Sequence, residues 1–363
     1  MKRLSQLLLA TLGSFLLFSC STDSDKLPDK DKETAGRVFV LNEGKFGQEV
    51  GRLDVITGDG QYLTGVDKGT LGGSAQDLAF FNDRTYVISQ DARNSMWGRL
   101  VAFDTKDYMR IDDYSERIAN LSKPSHIAIL DLNNIFVRHS DGITRISLNK
   151  EAQQLIAGTE GADKKTILAV NNKVVASAGK KLLTINKNED KIAQELELNG
   201  NISGIAVAGR DEVYAAAAGN PATIYKIKVS DLTIIGQHEV ADEAGATLSG
   251  GYWGSASIIT AKGDMVYFVG GRETIYSHNF ATNQTQVVVD TKSEGFYPEG
   301  KVTYNGVKVD PRTGYLYIHC LTDWATFDKN ATLVIDPTGA TPRLVAKHND
   351  KGRFVANFYF PGR

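Results

Sequence analysis

The residues that could bind a metal or catalyse a reaction are scattered along this sequence. Its six histidines lack the spacings, such as His-x-His or His-Glu-x-x-His, that place two metal ligands side by side. No Gly-x-Ser-x-Gly turn presents a serine nucleophile, and no glycine-rich loop carries a lysine for binding phosphate. Adjacent acids such as Asp112 and Asp113 are typical of a solvated surface. The sequence therefore predicts no metal site, no cofactor and no catalytic residue, with an enzyme site assembled from distant segments as the alternative.

Large aromatic side chains are the residue type whose placement suggests binding. All three tryptophans and several other rings occur in long loops, where a rigid scaffold usually carries recognition. Stacking and burial against such rings suit a bulky, partly apolar ligand, and neighbouring polar side chains can fix its orientation. The predicted ligand-binding residues are Phe46, Arg93, Asn94, Trp97, Tyr252, Trp253, Arg272, Phe296, Tyr297 and Trp324. The alternative is that these rings pack beneath their own loops or fill seams between structural units.

The N-terminal segment predicts a lipid anchor. Lys2 and Arg3 precede an apolar run that ends Leu-Phe-Ser before Cys20 and is too short to span a bilayer as a mature helix. The pattern resembles the lipobox of bacterial lipoproteins, in which the cysteine is acylated; an ordinary secretory signal is the alternative. We expect a signal peptide over residues 1–19, lipid attachment at Cys20 and a flexible polar tether over residues 20–35. The acids Asp23 and Asp25 resemble the export signal of surface-exposed lipoproteins in some Gram-negative anaerobes, and this resemblance implies the outer-membrane surface rather than the periplasm as the location.

Composition excludes several classes of protein. The 363 residues are 42% hydrophobic and 23% charged, which indicates a folded globular chain, and 35 glycines against 8 prolines favour many tight turns. Removal of the signal peptide changes the formal net charge from −2 to −4, and this charge argues against binding to nucleic acid. Two cysteines are too few for a disulfide framework. Once Cys20 is acylated, Cys320 is expected to be a buried free thiol.

One structural unit repeats seven times from residue 36 onward. Each copy contains a short apolar strand after a polar turn, with an inner strand before it and a third strand after it. In the sixth and seventh copies, the inner strands are predicted at residues 257–260 and 306–309. The apolar strands begin between 39 and 53 residues apart, at Val38, Thr85, Ile135, Val174, Val213, Val266 and Leu316. A period of this length built from strands and turns is the signature of propeller blades. The sequence therefore predicts an all-β fold, a seven-bladed β-propeller that forms one domain over residues 36–363.

The C-terminus is predicted to close the ring. No inner strand precedes Val38, whereas residues 355–360 fit the inner-strand pattern and have no second strand after them. We predict that this C-terminal strand pairs with residues 37–42 in blade 1, which removes the open sheet edges. The loops that carry the predicted ligand-binding residues then share one face of the ring. Five residues at the starts of inner strands are expected to line the channel mouth beside that face: Gln76, Asp77, Ser125, His126 and Asn357.

Three sequence segments resemble those of a known family. They are Val-Phe-Val-Leu-Asn-Glu-Gly from Val38, Gly-Arg-Leu from Gly51, and Leu-Gly-Gly-Ser-Ala-Gln-Asp-Leu from Leu71. The chain is similar in these segments, and in its order of blades and anchor, to the YncE-like seven-bladed propeller lipoproteins of bacteria. That group includes the BtuG type, which captures cobalamin at the cell surface and passes it to a TonB-dependent outer-membrane transporter. The resemblance therefore implies a surface lipoprotein that binds a small-molecule nutrient, with a corrinoid as the specific candidate.

Three classes of function remain open from the sequence. The first is nutrient binding on one face of the propeller for a TonB-dependent transporter, with the lipid anchor as the only membrane attachment. The second is a protein-interaction propeller that docks a transporter or a host protein through the same face. The third is a hydrolase or lyase acting at the channel mouth. An aromatic, mostly uncharged face favours the first.

Overall fold

The repeated apolar strands form the second strand of each of seven antiparallel sheets. This computed structural model describes residues 36–45, 49–69, 71–90, 99–248, 256–270, 273–325 and 327–362. Each sheet is a blade of four strands, and the strands are numbered in chain order. From blade 1 to blade 7, the first, innermost strands are β28 (Val355–Tyr359), β4 (Ala75–Phe81), β8 (His126–Asp131), β12 (Leu168–Val170), β16 (Ile202–Gly209), β20 (Ile259–Lys262) and β24 (Val302–Val309). In the same order of blades, the second strands are β1 (Val38–Asn42), β5 (Arg84–Ser89), β9 (Asn134–His139), β13 (Lys173–Ala178), β17 (Glu212–Ala217), β21 (Met265–Gly270) and β25 (Leu316–Leu321). The third strands are β2 (Arg52–Ile56), β6 (Arg99–Asp104), β10 (Gly142–Ser147), β14 (Lys181–Asn186), β18 (Ala222–Lys228), β22 (Thr274–Asn279) and β26 (Asn330–Asp336). The fourth, outermost strands are β3 (Tyr62–Leu63), β7 (Arg110–Asp113), β11 (Ala152–Leu155), β15 (Gln194–Glu197), β19 (Ile234–Val240), β23 (Gln284–Asp290) and β27 (Arg343–Asn349).

Burial explains why the second strands are apolar throughout. Every residue of β1 is buried, because both faces of a second strand are covered by the neighbouring blades. The described residues form seven hydrophobic clusters, one between each pair of adjacent blades. The fold therefore has a core divided among seven seams, and each blade depends on both of its neighbours for burial.

The predicted closure of the ring by the C-terminal strand is confirmed. Strand β28 pairs antiparallel with β1, and Phe39 and Val40 lie opposite Tyr359 and Phe358. Side chains from both ends of the chain, including Val38 and Phe358, share the hydrophobic cluster between blades 7 and 1. The seven-bladed, all-β fold class predicted from the sequence is therefore correct, including the strand that completes blade 1.

Local structure differs from the sequence prediction in some inner strands and in the loops between blades. The inner strand of blade 6 was expected at residues 257–260 but begins at Ile259, because the Ser257 hydroxyl bonds both the N–H and the C=O of Ile259 in place of a strand partner. A short helix, α1 (Asp242–Thr247), and a 3₁₀ turn at Ser115–Ile118 interrupt the loops between blades, although the sequence there shows no sustained helical periodicity. Among the described residues, no helix has the length and apolar character needed to cross a membrane.

The two faces of the ring carry different loops. The upper face is the one that holds the connections from second to third strands and from each blade to the next. The lower face holds the connections from first to second and from third to fourth strands. Upper-face loops such as residues 322–329 and 350–354 are longer than lower-face turns such as residues 132–133, so the upper face has more material for a binding site.

Candidate functional site

Three aromatic rings stack on the upper face beside the seam between blades 7 and 1. The rings of Phe327 and Phe354 lie 5.0 Å apart between centroids at an interplanar angle of 20°. Trp324 and Phe354 lie 6.2 Å apart at 13°. We call Trp324, Phe327 and Phe354 the aromatic stack. The ring of Tyr304 meets it edge-on, 5.5 Å from Phe354 and 5.8 Å from Trp324, so four rings from three chain segments converge.

Hydrogen bonds from one buried amide hold two of these rings in place. Asn330, fully buried at the start of β26, donates from Nδ2 to the carbonyl oxygens of Phe327 at 2.9 Å and Gly352 at 3.1 Å. Its Oδ1 accepts the N–H of Gly352 at 3.1 Å. Glycine is required at position 352, because a Cβ there would lie 2.2 Å from the ring of His319. The loop before β28 is thereby fixed to the loop that carries the rest of the stack.

Phe354 has a backbone conformation that is costly for its type. Its φ angle is 53°, in the left-handed region that bulky side chains seldom adopt. The amide N–H groups of Glu43 and Gly44 donate to the carbonyls of Phe354 and Arg353, at 2.8 and 3.1 Å, and hold this conformation in place. Strain of this kind persists only where surrounding contacts impose it, and it is concentrated at functional sites.

The aromatic stack is open to solvent at Trp324 and flanked by cations at Phe327. Trp324 keeps 41% of its surface exposed, which is unusual for so large an apolar side chain. The Nζ of Lys45 lies 5.1 Å from the centroid of Phe327, and the guanidinium carbon of Arg353 lies 5.6 Å from it. The stack thus offers an aromatic surface with positive charge at its rim.

Glu43 connects the aromatic stack to the mouth of the central channel. One oxygen of its carboxylate accepts from the Gln76 amide at 2.8 Å and the other accepts from the Tyr304 hydroxyl at 2.5 Å. Burial and the charge of Glu43 raise the pKa of Tyr304 well above its ordinary value, so the phenol is a neutral donor. The Oε1 atom of Gln76 is buried without a hydrogen-bond partner among the described residues, so it can accept a hydrogen bond from a bound molecule.

The central channel contains a cavity of about 280 Å³ formed by the inner strands. Its lining combines apolar side chains with Asp77, Thr166, Thr260, Lys308 and Asn357. Two of these, Asp77 and Asn357, were predicted near the mouth, and both lie in the lining. Ser125 and His126 are buried at the start of β8, where the hydroxyl oxygen of Ser125 lies 3.1 Å from His126 Nδ1.

The stability of the ring is expected to depend on pH through Asp77. Its carboxylate accepts the N–H of Ile127 at 3.0 Å and the hydroxyl of Tyr359 at 2.7 Å, but burial raises the pKa of Asp77 to about 6. Because folding favours the protonated form of Asp77, this residue contributes stability that is fully present below about pH 4. That contribution is lost as the pH rises through 6. Relative to Asp77→Asn, the wild-type protein should therefore lose about 2 to 3 kcal/mol between pH 4 and pH 7. Urea unfolding of both proteins at four pH values measures this.

The control for this prediction is Asp328→Asn, which changes an exposed carboxylate on the upper face. Its free energy of unfolding should follow that of the wild-type protein at every pH. A constant difference between wild type and Asp77→Asn from pH 4 to pH 7 would contradict the expected titration of Asp77.

Three of the ten predicted ligand-binding residues belong to the described part of the chain. Trp324 is the exposed ring of the aromatic stack. Tyr297 is only 4% exposed and packs in the core between blades 6 and 7, where the Nζ of Lys347 lies 4.7 Å from its centroid and donates to the carbonyl of Phe296 at 2.9 Å. The structure therefore does not bring Phe296 and Tyr297 to the stack, and their role in ligand binding stays a prediction. The other predicted positions lie outside the described residues: Cys20, Phe46, Arg93, Asn94, Trp97, Tyr252, Trp253 and Arg272.

His319 and Cys320 are buried side by side in β25. His319 is fully buried, its Nδ1 lies 3.2 Å from the Thr332 hydroxyl, and burial lowers its pKa to about 3. Cys320 is a buried free thiol, as predicted, and burial raises its pKa to about 12. Within the described ranges no three histidine, cysteine, aspartate or glutamate side chains come together to hold a metal ion.

Four residues of this site were not among the predicted ligand-binding residues: Glu43, Tyr304, Phe327 and Phe354. Tyr304 was missed because β24 begins at Val302, four residues before the inner strand predicted from Gly306. Phe354 directly precedes the last inner strand, in the same class of loop between blades that was predicted to carry aromatic residues. The position of Phe354 in a loop that leads into an inner strand is therefore the sequence signal that points to it.

Comparison with known proteins supports the fold and identifies the family. A search of curated proteins finds no match. A quinonprotein alcohol dehydrogenase-like protein of Bacteroides thetaiotaomicron is similar in structure, with a TM-score of 0.64 at 15% sequence identity over 90% of this chain and 78% of that one. The computationally designed Ika8 protein gives a TM-score of 0.52 at 13% identity over 87% and 89% of the two chains. Residues 36–363 match the model described as a domain of unknown function, DUF5074, and the chain therefore belongs to the DUF5074 family.

Proposed function

We propose that this protein is a ligand-binding propeller that receives a large, partly planar nutrient molecule on its upper face. The observation that carries the proposal is the aromatic stack, which leaves Trp324 41% exposed at the rim of a polar channel mouth. A planar ligand can continue the series of near-parallel rings, and its polar edge can reach Gln76 and Glu43. A corrinoid is the specific candidate, because it is large and planar and carries polar groups around its edge.

The proposal extends to the place of this protein in uptake. A lipid on Cys20 and a polar tether over residues 21–35 would hold the propeller at the outer-membrane surface. From there the bound nutrient would pass to a TonB-dependent transporter. Binding and transfer need no catalytic residue, and we assign the protein no enzymatic activity.

Replacement of Trp324 by alanine should weaken ligand binding about 30-fold, because a central aromatic contact contributes about 2 kcal/mol to binding. Calorimetric titration of cyanocobalamin, haemin and a neutral oligosaccharide into the mature protein, and then into Trp324→Ala, measures this effect. The matched control is Met109→Ala, which removes another large apolar side chain, 56% exposed, from the lower face and should leave the affinity unchanged.

Two results would overturn the nutrient-binding proposal. One is the absence of saturable binding for every compound in the panel. The other is binding that Trp324→Ala leaves unaltered. If no compound binds but an outer-membrane protein is retained by the wild-type protein and lost with Trp324→Ala, the upper face is a protein-docking surface, which is the second function considered from the sequence.

A further inference from the structure

Three cationic side chains lie together on the upper face, across the ring from the aromatic stack. Lys123 precedes β8, Arg138 lies near the end of β9, and Lys164 lies in the loop before β12. Arg138 donates from Nη1 to the Ser125 hydroxyl at 3.3 Å, and from Nη2 to the carbonyl of Ala162 at 3.0 Å. Since Ser125 and Ala162 are each two residues from one of the lysines, the arginine ties together the two loops that carry them. We call Lys123, Arg138 and Lys164 the basic cluster.

The basic cluster has no carboxylate partner in an ion pair within the described residues. Many other lysine and arginine side chains in this protein have such a partner, as Arg145 has in Asp190 at 2.6 Å. The three cations are close enough to act on each other, because burial first, and then the charges of Arg138 and Lys123, lower the pKa of Lys164.

Two acidic side chains near the basic cluster accept hydrogen bonds from groups outside it. Asp163 Oδ2 accepts from the Ser177 hydroxyl at 2.9 Å and from the N–H of Gly179 at 3.1 Å. Glu43 acts on Lys164 across the channel mouth, but both of its oxygens accept hydrogen bonds from Gln76 and Tyr304. Positive charge therefore remains in excess on this side of the mouth.

We propose that the basic cluster binds an acidic group, a carboxylate or a phosphate, of the molecule that stacks on Trp324. That this molecule has a planar part rests on the proposed function. Binding of an anion by the cluster does not depend on that function. An anion between the three cations relieves their mutual repulsion and accepts charge-assisted hydrogen bonds, which are stronger than those between neutral groups. Arg138 is already fixed by its bonds to the two loops, so little side-chain freedom is lost on binding.

This arrangement defines the chemical class of the ligand. The aromatic stack in blades 7 and 1 and the basic cluster in blades 3 and 4 lie on opposite sides of the channel mouth. A molecule that contacts both must span the mouth, with a planar apolar part at one end and an acidic group at the other. A neutral oligosaccharide meets neither requirement.

Calorimetric titration of inorganic pyrophosphate, and separately of citrate, into the mature protein at low salt tests the basic cluster directly. We expect saturable binding of at least one anion, weakened at least tenfold by the double substitution Lys123→Gln and Lys164→Gln and weakened for the wild-type protein by added sodium chloride. The phosphate and carboxylate arms identify which acidic group is preferred. The matched control is Lys150→Gln, an exposed lysine on the lower face of blade 3, which should leave binding unchanged.

Trp324→Ala should also leave pyrophosphate binding unchanged. A failure of the anion-binding inference can therefore be distinguished from a failure of the proposed stacking on Trp324. Equal affinity of the wild-type protein and the double variant, or no saturable heat with either anion, would overturn the inference. If the double variant does not melt cooperatively, the single substitution Lys164→Gln replaces it, and the expected weakening is at least threefold.

Discussion

A chain that ends at Arg353 should fail to fold. Deletion of residues 354–363 removes β28, so β1 loses its inner partner and Phe358 leaves the cluster between blades 7 and 1. The ring would open and expose sheet edges on both sides of the break. Because the free energy of unfolding of a domain is only about 5 to 15 kcal/mol, we expect the loss of a whole hydrophobic cluster to exceed it. Circular dichroism during heating should show no cooperative transition.

The control for this deletion is a chain that lacks only Gly362 and Arg363, which follow the last strand and should melt as the full-length protein does. A truncated chain that ends at Arg353 and keeps the full melting temperature would disprove closure of the ring by the C-terminal strand. Because the described residues form a hydrophobic cluster at every seam, we expect one transition rather than stepwise loss of blades.

The substitution Asp54→Ala should cost about 3 to 5 kcal/mol of stability, because it breaks an ion pair whose carboxylate is fully buried and leaves several donors without an acceptor. The Asp54 carboxylate is fully buried and accepts two bonds from Arg52, both of 2.7 Å, and one from the Asn42 amide at 2.8 Å. It also accepts the N–H of Gly65 at 2.8 Å. Chemical denaturation of the variant and the wild-type protein measures the difference.

Asp54 also supports the candidate site at a distance. The guanidinium of Arg52 donates to the carbonyl of Lys351, and Asn42 Oδ1 accepts the N–H of Arg353 at 2.7 Å, so the same network holds the loop that carries Phe354. The matched control is Asp59→Ala, which removes an exposed carboxylate from the following turn and should leave the free energy of unfolding close to that of the wild-type protein. A loss of less than about 1 kcal/mol for Asp54→Ala would contradict the assigned role.

The sequence predicted the number of blades because the second strands are covered on both sides. Strands such as β1 are apolar at nearly every position, and that pattern recurs at the blade period. The fourth strands were not predicted, because they lie at the solvent-exposed rim. All four residues of β11 are exposed, and its Ala-Gln-Gln-Leu sequence does not differ from that of a polar turn. Burial therefore determined which strands a single sequence could reveal.

The sequence predicted which face of the ring carries the candidate site, but not which residues contact one another there. The placement of Trp324 on a long upper-face loop followed from the order of strands. Its approach to Phe354 could not be inferred, because the two residues belong to loops separated by two strands and a buried amide at Asn330 sets the distance between those loops. Contacts between distant segments depend on tertiary geometry that has no local signal in the sequence.

The location of a bound ligand tests the central claim, that the upper face around the aromatic stack is the recognition surface. Hydrogen–deuterium exchange can be measured with and without whichever compound of the panel binds most tightly. We predict slower exchange in residues 322–330 and 350–355, where the stack and its supporting hydrogen bonds lie. Protection confined to lower-face turns, such as residues 310–315 and 337–342, would contradict the assignment of the binding site to the upper face.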